Sequence, residues 1–142
     1  MSFRSLRILV KTSVPALVLG LALAGPGAAS AAGSRLVIPK LGVDVPVAKR
    51  LSDGPQIYYR DVDTIGIAGH RTTYTRPFRA LPRLRRGDLI RLDRRVFRVK
   101  RTAVIRPWEV WVLRHRGLVL SACHPAGSAA FRFVVVASPV RS

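Results

Sequence analysis

The sequence holds a single cysteine among 142 residues, which excludes an intrachain disulfide and a cysteine-based zinc cluster. Acidic residues are almost as scarce. Seven Asp and Glu stand against 25 Lys and Arg, for a formal charge of +18, so a carboxylate-built metal site is not expected and the surface field favours anionic partners. No apolar run reaches the roughly 20 residues that span a bilayer as a helix. The longest, Thr12 to Ala24, has about 13.

The first 32 residues read as an address. Arg4, Arg7 and Lys11 precede the apolar stretch Val14 to Ala24, then Gly25-Pro26-Gly27 and a run of small residues in which Ala29-Ser30-Ala31 fits a cleavage site. That order is expected of a secretory signal peptide, or of an N-terminal membrane anchor if the start extends back through Ile8 with Lys11 snorkelling to the interface. Either places the remaining domain, residues 33–142, outside the cytoplasm. At 110 residues it is one domain, and at 49% hydrophobic residues the chain has material for a packed core.

From Arg35 onward short β-rich runs alternate with Pro and Gly. Strands are expected at Leu36 to Ile38, Val43 to Val47, Thr64 to Ala68, Asp88 to Leu92, Val96 to Val99, Leu118 to Ala122 and Phe131 to Val136, with a hairpin turn at Asp93-Arg94-Arg95. Helix is scarce: Arg76 to Leu84 could supply a turn or two between Pro77 and Pro82, and Pro107 to Leu113 fits strand and short helix equally. So many short strands in so few residues predict a barrel or sandwich. At least one of Trp108 and Trp111 is expected in the core, and His115, between two arginines, on the solvated surface.

Three residues carry chemistry by type and context. His70 follows a strand and Gly69; Cys123 ends an apolar strand; Arg132 lies nine residues later in the last one. A thiol with a reference pKa of about 8.5 is mostly protonated near neutrality, and a nearby histidinium or arginine raises its thiolate fraction. Such a thiolate attacks a carbonyl, the histidine protonates the departing amine, and a cationic donor stabilises the oxyanion.

Five stretches in this order, Ile38-Pro39-Lys40-Leu41-Gly42-Val43, Ala68-Gly69-His70-Arg71-Thr72-Thr73-Tyr74, Phe78 to Asp88, Leu120-Ser121-Ala122-Cys123-His124-Pro125 and Phe131-Arg132-Phe133, resemble the sortase family. The likeness runs over residues 35 to 139 and is greatest to the class E sortases of high-GC Gram-positive bacteria. It implies a mostly β fold, a closed barrel of about seven to eight strands with one or two short helices. It also implies a cysteine transpeptidase that cuts a C-terminal sorting signal of the Leu-Ala-x-Thr-Gly or Leu-Pro-x-Thr-Gly kind between Thr and Gly. The chain then passes from the enzyme thiol to an amine of a peptidoglycan precursor or a pilin lysine.

Carried over by position, the resemblance makes Cys123 the nucleophile, His70 the acid and base, and Arg132 the substrate or oxyanion contact, with Thr72, Thr73, Tyr74, Ala122 and His124 lining the substrate. No cofactor, metal or specific nucleic acid is implied, and a monomer at the membrane surface is expected. Two departures stand out. A Thr-Leu-x-Thr run usual before the cysteine is Val119-Leu120-Ser121-Ala122 here, and the segment Leu51 to Ile65 is short. A degenerate sortase fold and a basic, non-enzymatic binder of cell-wall polymer or nucleic acid are the alternatives. The L,D-transpeptidase pattern, with glycine before the cysteine and arginine two residues after it, meets Ala122 and Pro125 instead.

Overall fold

The computed structural model describes residues 33–141; the address segment lies outside them. Eight strands form one sheet: β1 (Arg35–Ile38), β2 (Val43–Pro46), β3 (Gln56–Arg60), β4 (Thr64–Ala68), β5 (Leu89–Leu92), β6 (Arg95–Ile105), β7 (Gly117–His124) and β8 (Phe131–Pro139). Their spatial order is β2-β1-β5-β6-β8-β7-β4-β3. Every neighbouring pair is antiparallel except β4 and β7.

The alternation that predicted the strands decides which side each residue takes. In β5 and β6, Ile90, Leu92, Phe97 and Val99 turn inward. They join Leu36 and Ile38 of β1, Ile65 and Ile67 of β4, Leu118 and Leu120 of β7 and Val135 of β8 in the main core. The opposite side of the sheet is apolar only locally, where Ile105, Val119, Val134 and Val136 pack against Val112 of the β6–β7 connection. That second patch carries the candidate site.

Several expectations are corrected. The strand ladder does not close into a barrel; its outer strands β2 and β3 approach through one isolated bridge, Ala48 to Gln56. No α-helix forms among the described residues. Single 3-10 turns stand at Pro39–Leu41, Leu81–Arg83 and Trp111–Arg114, because Pro77 and Pro82 remove the amide donors a longer helix over 76–84 would need. Strand β3 falls where no strand was expected, and β6 runs six residues past Val99 after a register shift between Val99 and Arg101. Both tryptophans are exposed, Trp108 at 70% and Trp111 at 37%, with Arg106 and Arg101 over their rings. His115 is half-buried, and its Nε2 lies 3.1 Å from the carbonyl oxygen of Ala137.

Candidate active site

Cys123 and Arg132 face each other across the β7–β8 ladder as direct cross-strand partners, so their side chains leave the same side of the sheet. On the other flank of β7, the parallel strand β4 pairs Ala68 with Ser121, and the Gly69 amide donates to the Ser121 carbonyl at 3.1 Å. Two residues further along each strand stand His70 and Cys123. The ladder ends at the Ala68–Ser121 pair; His70 follows β4 at the same end of the parallel strands as Cys123, with Arg132 on the other flank of the cysteine.

The backbone at His70 is clamped by Phe78. The Phe78 amide donates to the His70 carbonyl at 3.0 Å, and its fully buried ring occupies the place where a side chain on Gly69 would go, within 2.6 Å of an ideal Cβ. Glycine is required there for that approach. Beyond His70 the chain bends through Tyr74 and Arg76, both at positive φ, and the Tyr74 ring lies 5.0 Å from the imidazole at 41°. Thr72 and Thr73 are exposed on the same loop.

Arg71 ties the two strand ends together, and sequence reasoning gave it no role. Its Nη1 donates to the Cys123 carbonyl at 3.2 Å and lies 3.3 Å from His124 Nδ1; its buried Nε has no partner. A guanidinium has only donors, so His124 Nδ1 is the acceptor and its ring proton sits on Nε2. His124 is thereby engaged with Arg71, whereas His70 has the Tyr74 ring as its neighbour. The available signal was Arg71's place next to His70.

Ala122 and His124 project from β7 on the side opposite Cys123. Ala122 is 3% exposed within the main core, and the His124 ring lies 6.0 Å from that of Phe133, a core residue. Ala122 is thus placed away from the groove, contrary to the expectation that it lines substrate, and a hydroxyl at 122 would point into the core. Ser121, two residues before the cysteine and on its side, does face the groove.

The groove is a cavity of about 180 Å³ between β4, β7, β8 and the β6–β7 connection, lined by Tyr58, Ala68, Glu109, Val112, Ser121 and Arg132 among others. Tyr58 lies across Gly66, its ring 2.9 Å from where a Cβ would be. Desolvation pushes its phenol above the ordinary value, so the hydroxyl keeps its proton at neutral pH. Of the Arg132 guanidinium only Nη1 is bonded among the described residues, to the carbonyls of Ala129 at 2.9 Å and Phe131 at 3.0 Å, and the rest is free to meet a ligand. No group of three or more metal-ligating side chains occurs among the described residues.

The family model for the sortase domain matches residues 36–140. The chain belongs to the sortase family. Among solved structures it is similar to sortase E1 of Streptomyces coelicolor, crystallised with a tripeptide in its active site, at 28% identity and a TM-score of 0.68, over 78% of this chain and 88% of that one. Sortase C-1 of Actinomyces oris matches at 23% identity and TM-score 0.69, over 77% and 74% of the two chains. A pilus-related sortase C of Group B Streptococcus matches at 19% and 0.70, over 79% and 69%. The last two likenesses concern the fold. No curated protein matches the sequence.

Proposed function

We propose that this sortase-family chain is a cysteine transpeptidase acting on C-terminal sorting signals of the Leu-Ala-x-Thr-Gly or Leu-Pro-x-Thr-Gly kind. The observation that supports the reading is the register of β4, β7 and β8, which pairs Arg132 with Cys123 and ends β4, just before His70, beside the strand that carries the cysteine. The Cys123 thiolate attacks the threonine carbonyl, forming the S–C bond; Arg132, with its unbonded N–H groups, steadies the oxyanion or the signal backbone. The C–N bond to glycine then breaks as His70 hands its proton to the departing amine. A second amine, from a peptidoglycan precursor or a pilin lysine, gives its proton back to His70 and takes the acyl group from sulfur.

The apolar groove that reaches Ser121 and Arg132 suits the signal's leucine, with Tyr58 as a polar contact in its lining; Thr72, Thr73 and Tyr74, on the loop after His70, are proposed to meet the rest of the signal. No helix among the described residues is long and apolar enough to cross a membrane. The reading therefore assigns export to residues 1–32, as signal peptide or anchor, and the catalytic domain to the extracytoplasmic side. Incubating the chain with each signal peptide and weighing the protein by mass spectrometry tests the chemistry. An adduct ending at threonine, absent from Cys123→Ala and discharged by an added amine, is expected. No adduct with either peptide on the folded protein would return the chain to a binding role.

A further inference from the structure

The stretch from Arg76 to Arg101 holds eleven Lys and Arg and only two acids, Asp88 and Asp93. Both acids are engaged elsewhere. Asp88 accepts from Lys40 and from the Arg85 amide, and Asp93 accepts from the Arg35 amide. The four ion pairs among the described residues are Arg35–Asp44, Lys40–Asp88, Arg50–Asp53 and Arg116–Asp63. None uses a cation of this stretch.

The fold lays these cations along one hairpin. With Ile90, Leu92, Phe97 and Val99 turned into the core, Leu89, Arg91 and Arg98 take the outer side of β5 and β6, Leu89 directly opposite Arg98. Lys100 and Arg101, at the register shift, are also exposed. Arg83, Arg85 and Arg86 follow at one end, joined to the hairpin where Arg98 Nη1 donates to the Gly87 carbonyl at 3.2 Å; Arg94 and Arg95 stand at the other. Like charges set side by side repel one another, which a partner of opposite charge offsets.

We infer that the outer face of the β5–β6 hairpin docks on a bilayer containing anionic lipid. Three observations select a membrane over other polyanions. Leu89 is 42% exposed in the midst of the cations and opens on a shallow apolar hollow with Pro39, Ile90 and Val96, a mixture suited to a headgroup boundary. Of the aromatic rings at the patch, Phe78 and Phe97 are fully buried and the Trp111 ring is covered by the Arg101 guanidinium, so a base has little to stack on. Gly33 leads into β1, which pairs with β5 and is held to the hairpin turn through Arg35 and Asp93; the 32 residues that precede Gly33 in the sequence carry three cations, no acid and the apolar run Val14 to Ala24. Cys123 lies on the same side of the sheet but three strands along, on β7, roughly 14 Å away at about 4.8 Å per strand.

The test needs no turnover, so it stands apart from the transpeptidase reading. The full chain is labelled with a fluorophore at its lone thiol, Cys123, or at Leu89→Cys in a Cys123→Ala background, and mixed with spin-labelled vesicles of phosphatidylcholine with or without phosphatidylglycerol. Quenching is expected to be stronger at position 89 than at Cys123, on the phosphatidylglycerol vesicles only, and to be reversed by salt. Arg91→Glu/Arg98→Glu/Lys100→Glu should weaken that association by at least roughly fivefold for each charge, whereas Arg91→Lys/Arg98→Lys, which keeps the charge, should leave it unchanged. Position 89 unquenched, equal binding by the reversed-charge variant, or tighter binding of single-stranded DNA than of vesicles through the same residues would each overturn the inference.

Discussion

Arg71 Nη1 lies 3.2 Å from the carbonyl oxygen of Cys123, a residue 52 positions away in the chain. One guanidinium thus spans the end of β4, which carries His70, and the end of β7, which carries Cys123. Removing a hydrogen bond made by a charged group costs about 1.5–3 kcal/mol, so Arg71→Ala should slow peptide transfer by about tenfold to a hundredfold. The Lys variant should recover part of that loss, since it keeps a donor but not two in a fixed fork. The rate of Cys123 alkylation by iodoacetamide at one fixed pH should change in Arg71→Ala; an unchanged rate with a lowered Tm would assign Arg71 to folding alone.

Arg132 is half-buried and bonded only to carbonyls of its own loop, so its loss should spare the fold. Arg132→Ala is expected to lower transfer by about 10²–10³, the scale on which an oxyanion donor acts, with Tm nearly unchanged. Single-turnover acylation measured beside thermal melting separates the two.

Gly69 and Phe78 are expected to be coupled. Phe78→Ala should destabilise by about 3–5 kcal/mol, and Gly69→Ala should also destabilise, because the new methyl meets the Phe78 ring. Combined with Phe78→Leu, Gly69→Ala should cost less than it does alone. Denaturant unfolding of the four proteins in a double-mutant cycle measures the difference, and additive costs would rule out the contact.

Asp88 supplies an acid-sensitive contribution. Its hydrogen bond from Lys40, aided by the Arg85 amide, holds the carboxyl below the ordinary value of 3.8. A folded-state value that is depressed means that the stabilisation is present above 3.8 and is lost as pH falls through the lower value. The Tm gap between the protein and Asp88→Asn should hold steady at neutral pH and close below pH 3.8. A gap independent of pH would assign the effect to the side-chain amide instead.

Most of the sheet was legible in the sequence because strands leave local signals, period-two alternation in Val43 to Val47 and short apolar runs in Leu118 to Ala122 and Phe133 to Val136. Strand β3 was hidden for a definite reason. A register shift between Ile57 and Tyr59 sets two tyrosines side by side and breaks the alternation. The barrel's remaining gap lies between β2 and β3, whose meeting at Ala48 and Gln56 depends on the whole sheet's curl. Cys123, His70 and Arg132 could be picked out by residue type and family likeness. Arg71 could not, because its value arises from two partners more than 50 positions away. The sides taken by Ala122 and Ser121 were readable in principle from alternation about Cys123, and the structure assigns the groove to Ser121.

The last strand of the chain is not at the margin of the sheet. β8 is inserted between β6 and β7, and it brings Arg132 to Cys123. A chain emerging from its N-terminus would hold its histidine early and its thiol late, yet β7 would still lack one of its two neighbours until the final dozen residues arrived. The β7–β8 contact is a local hairpin, whereas the β6–β8 and β4–β7 pairings join distant parts of the chain and are slower to close. Arg132 therefore reaches Cys123 as soon as β8 folds back on β7, whereas the strand that leads to His70 joins β7 only through the long-range parallel pairing.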